Sequence, residues 1–227
     1  MRLVLRLLPI ACAATPAMAQ EHDAQAWLQV NTVVPLADRL RVTFEQIARG
    51  SDRQQGVYQS EFGAILGLRV ADGVELGFGY RKVGFHNANL APNEDRVRQH
   101  VVWTRGPLQM RLRVDQRFLE TGGEVGIRVR PQVRYNHRLR RPGFALFVSH
   151  ESFVLPNSTD WGQRRGYERM RNIAGVVLPV GRTVSADMGY LNQYRLGRDG
   201  ARPQMEHALL LQLTISPVGA TRTTTDD

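Results

Sequence analysis

The stretch QMRLRVDQRF, residues 109–118, alternates apolar and charged side chains along nearly its whole length. Most of its even-numbered positions are apolar, and its odd-numbered positions include Arg111, Arg113, Asp115 and Arg117. Successive side chains of a β-strand point to opposite faces, so the stretch predicts a strand with one apolar and one charged face. In a soluble sheet the apolar face would cover a core. In an outer-membrane barrel it would face lipid, and the charged face would line the lumen.

The same two-residue period recurs along the chain, and no segment shows a convincing helical period. The clearest segments are 40–45, 74–81, 125–136, 184–190 and 205–215. Several candidate strands are long, as at 39–49, 107–118, 124–137 and 203–215. A membrane-spanning strand needs about 9 to 11 residues, whereas globular strands most often have about 5 to 6. The chain is therefore predicted to be all-β, with strands long enough to span a bilayer.

The joints between the candidate strands alternate in length. The short joints are PLAD (35–38), ADG (71–73), RGP (105–107), RRPG (140–143) and VGR (180–182). The longer ones are GSDRQQG (50–56), HNANLAPNEDR (86–96), ETGGE (120–124), LPNSTDWGQRR (155–165) and LGRDGARP (196–203). Short periplasmic turns and longer outer loops are typical of an outer-membrane barrel, and a soluble sandwich has no reason to alternate so regularly.

The pattern predicts an antiparallel up-and-down transmembrane β-barrel of about 10 to 12 strands. Eleven candidate strands can be counted, which conflicts with the even number expected of a bacterial single-chain barrel. Either the first segment, 25–34, is not a regular wall strand, which leaves ten, or a strand has been merged or missed, which gives twelve. Counting back from 203–215, the first segment would begin on the outer side.

The charged positions of these strands predict a network facing the lumen. A barrel of ten or twelve strands has an interior that must be filled or wetted, and rows of arginine with acidic residues can do both. The predicted members are Arg39, Arg41, Glu45, Arg111, Arg113, Asp115, Arg117, Arg128, Arg130, Arg134, Glu151, Arg169, Arg171 and Asp187.

The first 19 residues have the features of a secretory signal peptide. Arg2 and Arg6 give a basic start, a short apolar region follows, and Ala17-Met18-Ala19 matches an A-x-A cleavage site. We therefore divide the chain into a signal peptide (1–19), a β-barrel domain (20–216) and a polar C-terminal tail (217–227). Cys12, the single cysteine of the sequence, lies in the signal, so the exported domain would contain no disulfide.

The net charge is +9, and Lys82 is the single lysine among 30 basic residues. The arginines are spread at strand spacing and mixed with acidic residues, whereas a nucleic-acid protein would show a basic cluster on one face. The composition therefore argues against nucleic acid as a partner.

No catalytic, cofactor-binding or metal-binding residues are predicted. The histidines outside SHES lie far apart in the sequence and form no metal-ligand motif, and no glycine-rich phosphate loop is present. The run SHES (149–152) brings Ser, His and Glu together, but in a strand Ser149 and Glu151 face one side while His150 and Ser152 face the other. A triad would have to take residues from adjacent strands, so Glu151 is interpreted as an ion-pair partner of arginine.

The segment YERMRNIAGVVLPVGRTVSADMGYL (167–191) resembles a repeated theme of the DUF2490 family, in which an Asn/Arg-containing strand with a glycine leads through a short turn into a strand ending in Gly-Tyr. HESF (150–153) and the early Trp27 occur in the expected order. The residues that carry the match are Arg169, Arg171, Gly175, Gly189 and Tyr190. The resemblance implies a bacterial outer-membrane-type β-barrel of unassigned function, and it supplies no catalytic residues. The chain departs from most such barrels in running past Ile215 into a polar tail.

These observations favour a monomeric, porin-like outer-membrane barrel of a Gram-negative cell envelope. Its Arg-rich polar lumen would make it a structural barrel or a narrow solute pore, and no cofactor is expected. Its expected partners are outer-membrane lipid, the envelope insertion machinery and a small solute. Two alternatives stay open: a soluble periplasmic β-sandwich binding protein, and an outer-membrane lipid-modifying enzyme with Ser, His and Asp/Glu at its outer rim.

Overall fold

The computed structural model describes residues 21–198 and 200–217, and this part of the chain forms eleven β-strands. They are β1 (Glu21–Ala37), β2 (Leu40–Ser51), β3 (Gly56–Ala71), β4 (Val74–Phe85), β5 (Glu94–Arg105), β6 (Leu108–Leu119), β7 (Gly126–Arg138), β8 (Ala145–Leu155), β9 (Gly166–Pro179), β10 (Val184–Arg195) and β11 (Gln204–Ile215). The expected signal peptide, and all but the first residue of the expected C-terminal tail, lie outside the described residues.

The strands form one closed sheet. Consecutive strands pair antiparallel from β1 to β11, and β1 then pairs with β11 in parallel, with partners from Glu21 and Gln204 to Thr32 and Ile215. A ring of purely antiparallel strands needs an even number, so eleven strands close only with one parallel pair. The predicted barrel of about 10 to 12 strands is confirmed. Neither of the two explanations considered for the odd number of strands applies. The first segment is a regular wall strand, so the count is not ten, and the ring closes without a twelfth strand.

The single closed sheet also decides between the two all-β architectures. A sandwich buries its core between two separate sheets, whereas each strand here has two neighbours in one ring. The β-sandwich alternative is therefore wrong. No helix in the described part of the chain is long and apolar enough to cross a membrane.

The connections differ between the two ends of the barrel. At one end, called the short-turn end, they are 38–39, 72–73, 106–107, 139–144 and 180–183. At the other end, called the long-loop end, they are 52–55, 86–93, 120–125, 156–165 and 196–203. β1 therefore begins at the long-loop end and β11 finishes at the short-turn end.

The two faces of the wall differ in polarity, as β6 shows. Arg113 is 6% exposed and Asp115 is fully buried, whereas Leu112 is 47% exposed and Phe118 is 40% exposed. The same inversion recurs around the ring, and Leu209 of β11 reaches 64% exposure. The charged positions of the alternation are thus buried and the apolar positions are uncovered, which is opposite to the arrangement in a soluble core.

We predict that a disulfide can lock the parallel pairing of β1 with β11, which is called the seam. Gln29 of β1 is paired in register with Gln212 of β11, and neighbouring parallel strands lie within the Cα separation that a disulfide requires. In a chain beginning at Gln20, which has no native cysteine, the double substitution Gln29→Cys and Gln212→Cys should cross-link under mild oxidation. The measurement is the gel mobility of the oxidised and reduced protein.

A matched pair, Gln29→Cys with Gln109→Cys, should stay reduced because β1 and β6 are not neighbours. An absence of cross-linking at the seam pair would contradict an eleven-strand ring, since a ten-strand ring closed by β2 and β11 would leave β1 outside the wall.

Candidate functional site

The barrel interior contains two main cavities, one above the other. The loop-side cavity has a volume of about 650 Å³ and is lined by residues such as Arg117 and Trp161. The turn-side cavity has a volume of about 340 Å³ and is lined by residues such as His100 and Gln132. A further space of about 1200 Å³ opens at the short-turn end and shares Arg41 and other lining residues with the turn-side cavity.

The residues common to the loop-side and turn-side cavities are all arginines. They are Arg49, Arg96, Arg130 and Arg171. These four side chains, together with their carboxylate partners Glu61 and Glu151, are called the septum, because they lie between the two cavities. The septum thus lies at the boundary between the space at the loop end and that at the turn end.

Glu61 of β3 is the acidic centre of one side of the septum. It is fully buried. Its carboxylate oxygens lie 2.8 Å from Arg49 Nη2, 2.5 Å from Arg81 Nη1 and 3.8 Å from Arg96 Nη1. Gln59 Nε2 also donates a hydrogen bond to Glu61, at 2.6 Å. One carboxylate therefore binds guanidinium groups from β2, β4 and β5, which holds three strands in register.

Glu151 of β8 plays the same part on the opposite side. It is 2% exposed. Its oxygens lie 2.8 Å from Arg111 Nη2, 2.9 Å from Arg130 Nη2 and 3.5 Å from Arg171 Nη1. Arg111 and Glu151 belong to β6 and β8, which are not neighbours, so this contact passes inside the wall.

Two aromatic rings also contact buried arginine side chains, including arginines of the septum. Trp27 of β1 lies between two septum arginines, with Arg49 at 4.0 Å and Arg171 at 4.7 Å from its ring centroid. Phe153 of β8 contacts four guanidinium groups at 4.4 to 5.7 Å. A cation over an aromatic face is stabilised by the ring quadrupole, and more so where water is excluded. The seam strand β1 is thereby bound to both sides of the septum.

Further ion pairs surround the septum. Arg98 of β5 bonds Glu45 of β2 across the interior. Asp115 accepts hydrogen bonds from Arg128, at 2.8 Å, and from Arg130, at 3.4 Å. Each of these buried arginines is thereby matched by a carboxylate, as burial requires.

Arg113 is an exception in this network. It is 6% exposed, and no carboxylate among the described residues lies within ion-pair distance of it. The register places it in one row with Gly77, His100 and Arg130 across four strands. Gly77 provides the space for the imidazole, because a Cβ atom there would lie 2.2 Å from His100 Nε2. Arg113 therefore contributes an unpaired positive charge to the turn-side cavity, which nine arginines and three glutamates line.

The structure places the other sequence-predicted network residues as follows. Arg39 lies in the turn 38–39 and is exposed. Arg41 pairs with Glu75 at 2.7 Å, and Arg134 of β7 pairs with Asp187 of β10 at 2.9 Å. Arg117 bonds Glu94 through two guanidinium nitrogens, and Arg169 bonds the adjacent Glu168.

Sequence reasoning missed several members of the network. The sequence pattern assigns Glu94 and Arg96 to the joint 86–96, whereas β5 begins at Glu94. The alternation of charged residues at 94, 96 and 98 was the signal that could have extended the strand. Glu61 had a weaker signal, because glycines follow it at two of the inward positions of β3. Among the described residues, no group of three His, Cys, Asp or Glu side chains could hold a metal ion.

We predict that the Glu151→Ala substitution destabilises the barrel by about 3 to 5 kcal/mol, because it leaves three buried guanidinium groups without their carboxylate. The measurement is the midpoint of urea-induced unfolding of the protein in detergent, monitored by tryptophan fluorescence. Glu120→Ala is the control, since Glu120 is exposed and pairs with the partly exposed Lys82; it should change the stability by less than about 1 kcal/mol. Equal midpoints for the two variants would contradict a structural role for this ion-pair centre.

Comparison with known proteins gives one family and one relative along most of the chain. Residues 24–204 match the family described as "Protein of unknown function (DUF2490)". An uncharacterized protein of Methylorubrum extorquens is 30% identical over 222 residues, which cover 94% of this chain and 96% of the relative.

One solved structure, described as "Unveiling the Mechanism Behind the in-meso Crystallization of Membrane Proteins", has a TM-score of 0.41 and 11% identity to this chain. The similarity covers 81% of this chain and 79% of that chain. At this TM-score it supports no assignment of function.

Proposed function

The chain belongs to the DUF2490 family of proteins of unknown function, and we propose that this member is an outer-membrane β-barrel whose polar interior is occluded at rest and conducts at most small anions. In this proposal the protein is exported by the segment 1–19, inserted by the envelope machinery as a monomer and surrounded by lipid. It binds no nucleic acid and needs no cofactor.

The observation that carries the proposal is the exposed apolar face of the barrel. Large side chains such as Phe62 and Leu209 are 60% and 64% exposed, and similar residues are found around the ring. A soluble monomer rarely exposes an apolar surface of this extent, because contact with water carries a free-energy penalty in proportion to the exposed apolar area. Contact with lipid removes that penalty.

The dimensions of the wall support the same environment. Most strands have 11 to 14 residues. A strand of 12 residues with a tilt of about 40° rises about 30 Å along the barrel axis, which matches the hydrocarbon thickness of a bilayer. Exposed aromatic residues lie near both ends: Trp103 and Tyr135 toward the short turns, and Phe118 and Tyr167 toward the long loops. This placement is typical of interfacial aromatic girdles.

The interior supports an occluded channel with a preference for anions. The septum arginines line both cavities at their common boundary, and arginines outnumber carboxylates in the lining of both. Loop 156–165 narrows the loop end further: its Trp161 donates a hydrogen bond to the Glu124 carbonyl at 2.7 Å and lies against Arg117. A small anion that enters either cavity would meet guanidinium groups suited to bind it.

We predict that the protein fractionates with the outer membrane and migrates differently on a gel before and after boiling. A closed sheet with paired backbone groups resists detergent unfolding until it is heated. The measurement compares boiled and unboiled samples from the membrane and soluble periplasmic fractions. Recovery in the soluble fraction without a shift would contradict the membrane proposal.

We further predict that opening the septum increases conductance in a planar bilayer. The double variant Arg49→Ala and Arg171→Ala removes both guanidinium groups that flank Trp27, so its single-channel current should exceed the wild-type current. Arg140→Ala, an exposed residue of turn 139–144, is the control. Adding Arg113→Glu to the double variant should shift the reversal potential toward cation selectivity. Unchanged current and selectivity would show that the interior is not a conduction path.

A further inference from the structure

A chain of hydrogen bonds links Ser, His and Asn side chains on the outer face of β8 and β9. Ser152 Oγ lies 3.0 Å from His150 Nε2, and His150 Nδ1 lies 2.7 Å from Asn172 Oδ1. Tyr167 Oη lies 3.0 Å from Ser152 Oγ. The two imidazole nitrogens therefore contact a hydroxyl on one side and an amide oxygen on the other, which is the connectivity of a nucleophile, a base and an orienting group.

The strand geometry explains how these side chains meet. His150 and Ser152 are two residues apart on β8 and share its outer face. The antiparallel register places Asn172 of β9 directly opposite His150. A register shift between Phe153 and Val154 changes the alternation of β9, and Tyr167 is consequently found on the outer face next to Ser152.

The sequence prediction about SHES was correct that sequence neighbours face opposite sides of the strand. Glu151 points inward into the septum, and His150 and Ser152 point outward. The third member comes from the adjacent strand, 20 residues further along the chain than Ser152, and its pairing with His150 cannot be read without the register.

We propose that Ser152, His150 and Asn172 form a serine esterase site that hydrolyses ester-linked acyl chains of membrane lipids. Ser152 is the nucleophile, His150 is the general base and acid, and Asn172 is the positioning residue that holds the imidazole. The lipid substrate rests on the membrane location proposed above, whereas the esterase chemistry does not.

An apolar groove on the same face fits an acyl chain. Its volume is about 490 Å³, and it is lined by His150 and Asn172 together with apolar residues that include Val148 and Ala174. Val148 and Ala174 lie on the short-turn side of His150 and Asn172. His150 is at the middle of β8, so the groove leads from there toward the short-turn end, within the height where the hydrocarbon core of the bilayer would lie.

The nucleophile lies in the half of the wall nearer the long loops. Ser152 lies three residues before Leu155, the last residue of β8 at the long-loop end. Its hydroxyl contacts that of Tyr167, one of the exposed aromatic residues near the long loops, so Ser152 lies just inside the proposed aromatic girdle of that end. A lipid beside β8 and β9 would present its ester carbonyl to Ser152 and its chain to the groove.

The reaction uses lipid and water alone. Ser152 Oγ attacks the ester carbonyl carbon while its proton passes to His150 Nε2, and the Asn172 amide oxygen accepts a hydrogen bond from Nδ1–H. His150 then returns the proton to the departing alcohol oxygen as the ester C–O bond breaks, leaving an acyl-serine. Water attacks the acyl-serine, gives a proton to His150 and releases the fatty acid, after which the proton returns to Ser152. In this proposal the Tyr167 hydroxyl, which lies 3.0 Å from Ser152 Oγ, donates a hydrogen bond to the developing oxyanion.

The first experiment labels the full-length mature protein, folded in detergent, with a fluorophosphonate probe that reacts with activated serines. Mass spectrometry should locate the label on Ser152, and Ser152→Ala should remove it. Ser60→Ala is the matched control, because Ser60 Oγ also lies 2.7 Å from a histidine nitrogen, His86 Nε2, on the outer side of β3. No side-chain acceptor among the described residues bonds His86 Nδ1. Labelling that is absent, or that persists in Ser152→Ala, would overturn the proposal.

The second experiment measures hydrolysis of p-nitrophenyl butyrate and of phosphatidylethanolamine in mixed micelles. Ser152→Ala and His150→Ala should lower kcat/KM by about 1000-fold or more, with the heat-dependent gel shift retained as a check of folding. Asn172→Leu should lower kcat at least about tenfold with little change in KM, and Asn172→Asp, which keeps an acceptor for Nδ1–H, should restore it.

The outcomes separate the two proposals. If wild-type protein cleaves neither substrate, the esterase site is wrong whatever the location of the protein. Cleavage of the soluble ester without cleavage of phospholipid would overturn the lipid assignment. A soluble periplasmic protein that cleaves p-nitrophenyl butyrate would overturn the membrane proposal and keep the triad.

Discussion

Pairing of buried arginines with carboxylates and aromatic rings is the interaction on which the rest of this structure depends. A guanidinium group taken out of water without a partner is strongly destabilising, and this barrel buries many of them. Glu61 and Glu151 each bind three arginines, so a small number of acids satisfies a larger number of cations. The planar fork of arginine permits this sharing, because its nitrogens can donate in several directions at once, whereas lysine offers a single point charge. The near absence of lysine from the sequence is consistent with such an interior.

The same network explains how an odd number of strands can close. The parallel pairing of β1 with β11 satisfies the backbone at the seam. Side chains reinforce it, because Trp27 of β1 lies between guanidinium groups from β2 and β9. Removal of β1 would take that ring away, uncover Arg49 and Arg171 and leave β2 and β11 as two open edges. The first strand is thus a part of both the wall and the septum, which is why a ten-strand barrel does not describe this chain.

The sequence predicted the class of fold because alternation is a local property. Residues 109–118 show which side chains share a face, and the joint lengths distinguish the two ends of the barrel. Eleven candidate strands could be counted from the alternation, but the sequence did not show that eleven strands close, because closure depends on whether β1 meets β11, and no local pattern encodes that pairing. The ion-pair partners were also hidden: Arg111 and Glu151 share a parity, but their contact depends on the curvature that brings β6 and β8 together inside the wall. Asn172 was invisible for the same reason, because its relation to His150 exists only in the register of β8 and β9.

The polar groups inside the wall and those on its outer face have different roles. Inside the wall nearly every charge is paired, and such a network is suited to rigidity rather than to turnover. In the membrane location proposed above, lipid offers no hydrogen bonds to the outer face of the wall, so polar side chains there must satisfy one another. Ser152, His150 and Asn172 do so in the order that activates a hydroxyl, and they lie on strands whose inner faces are fixed by Glu151 and Phe153. A hydrogen-bonded triad on a rigid strand is held more accurately than one on a loop. Glu151, which lies between His150 and Ser152 in the sequence and points inward, therefore helps to hold the outer face in place. The run SHES thus contributes to both sides of the wall.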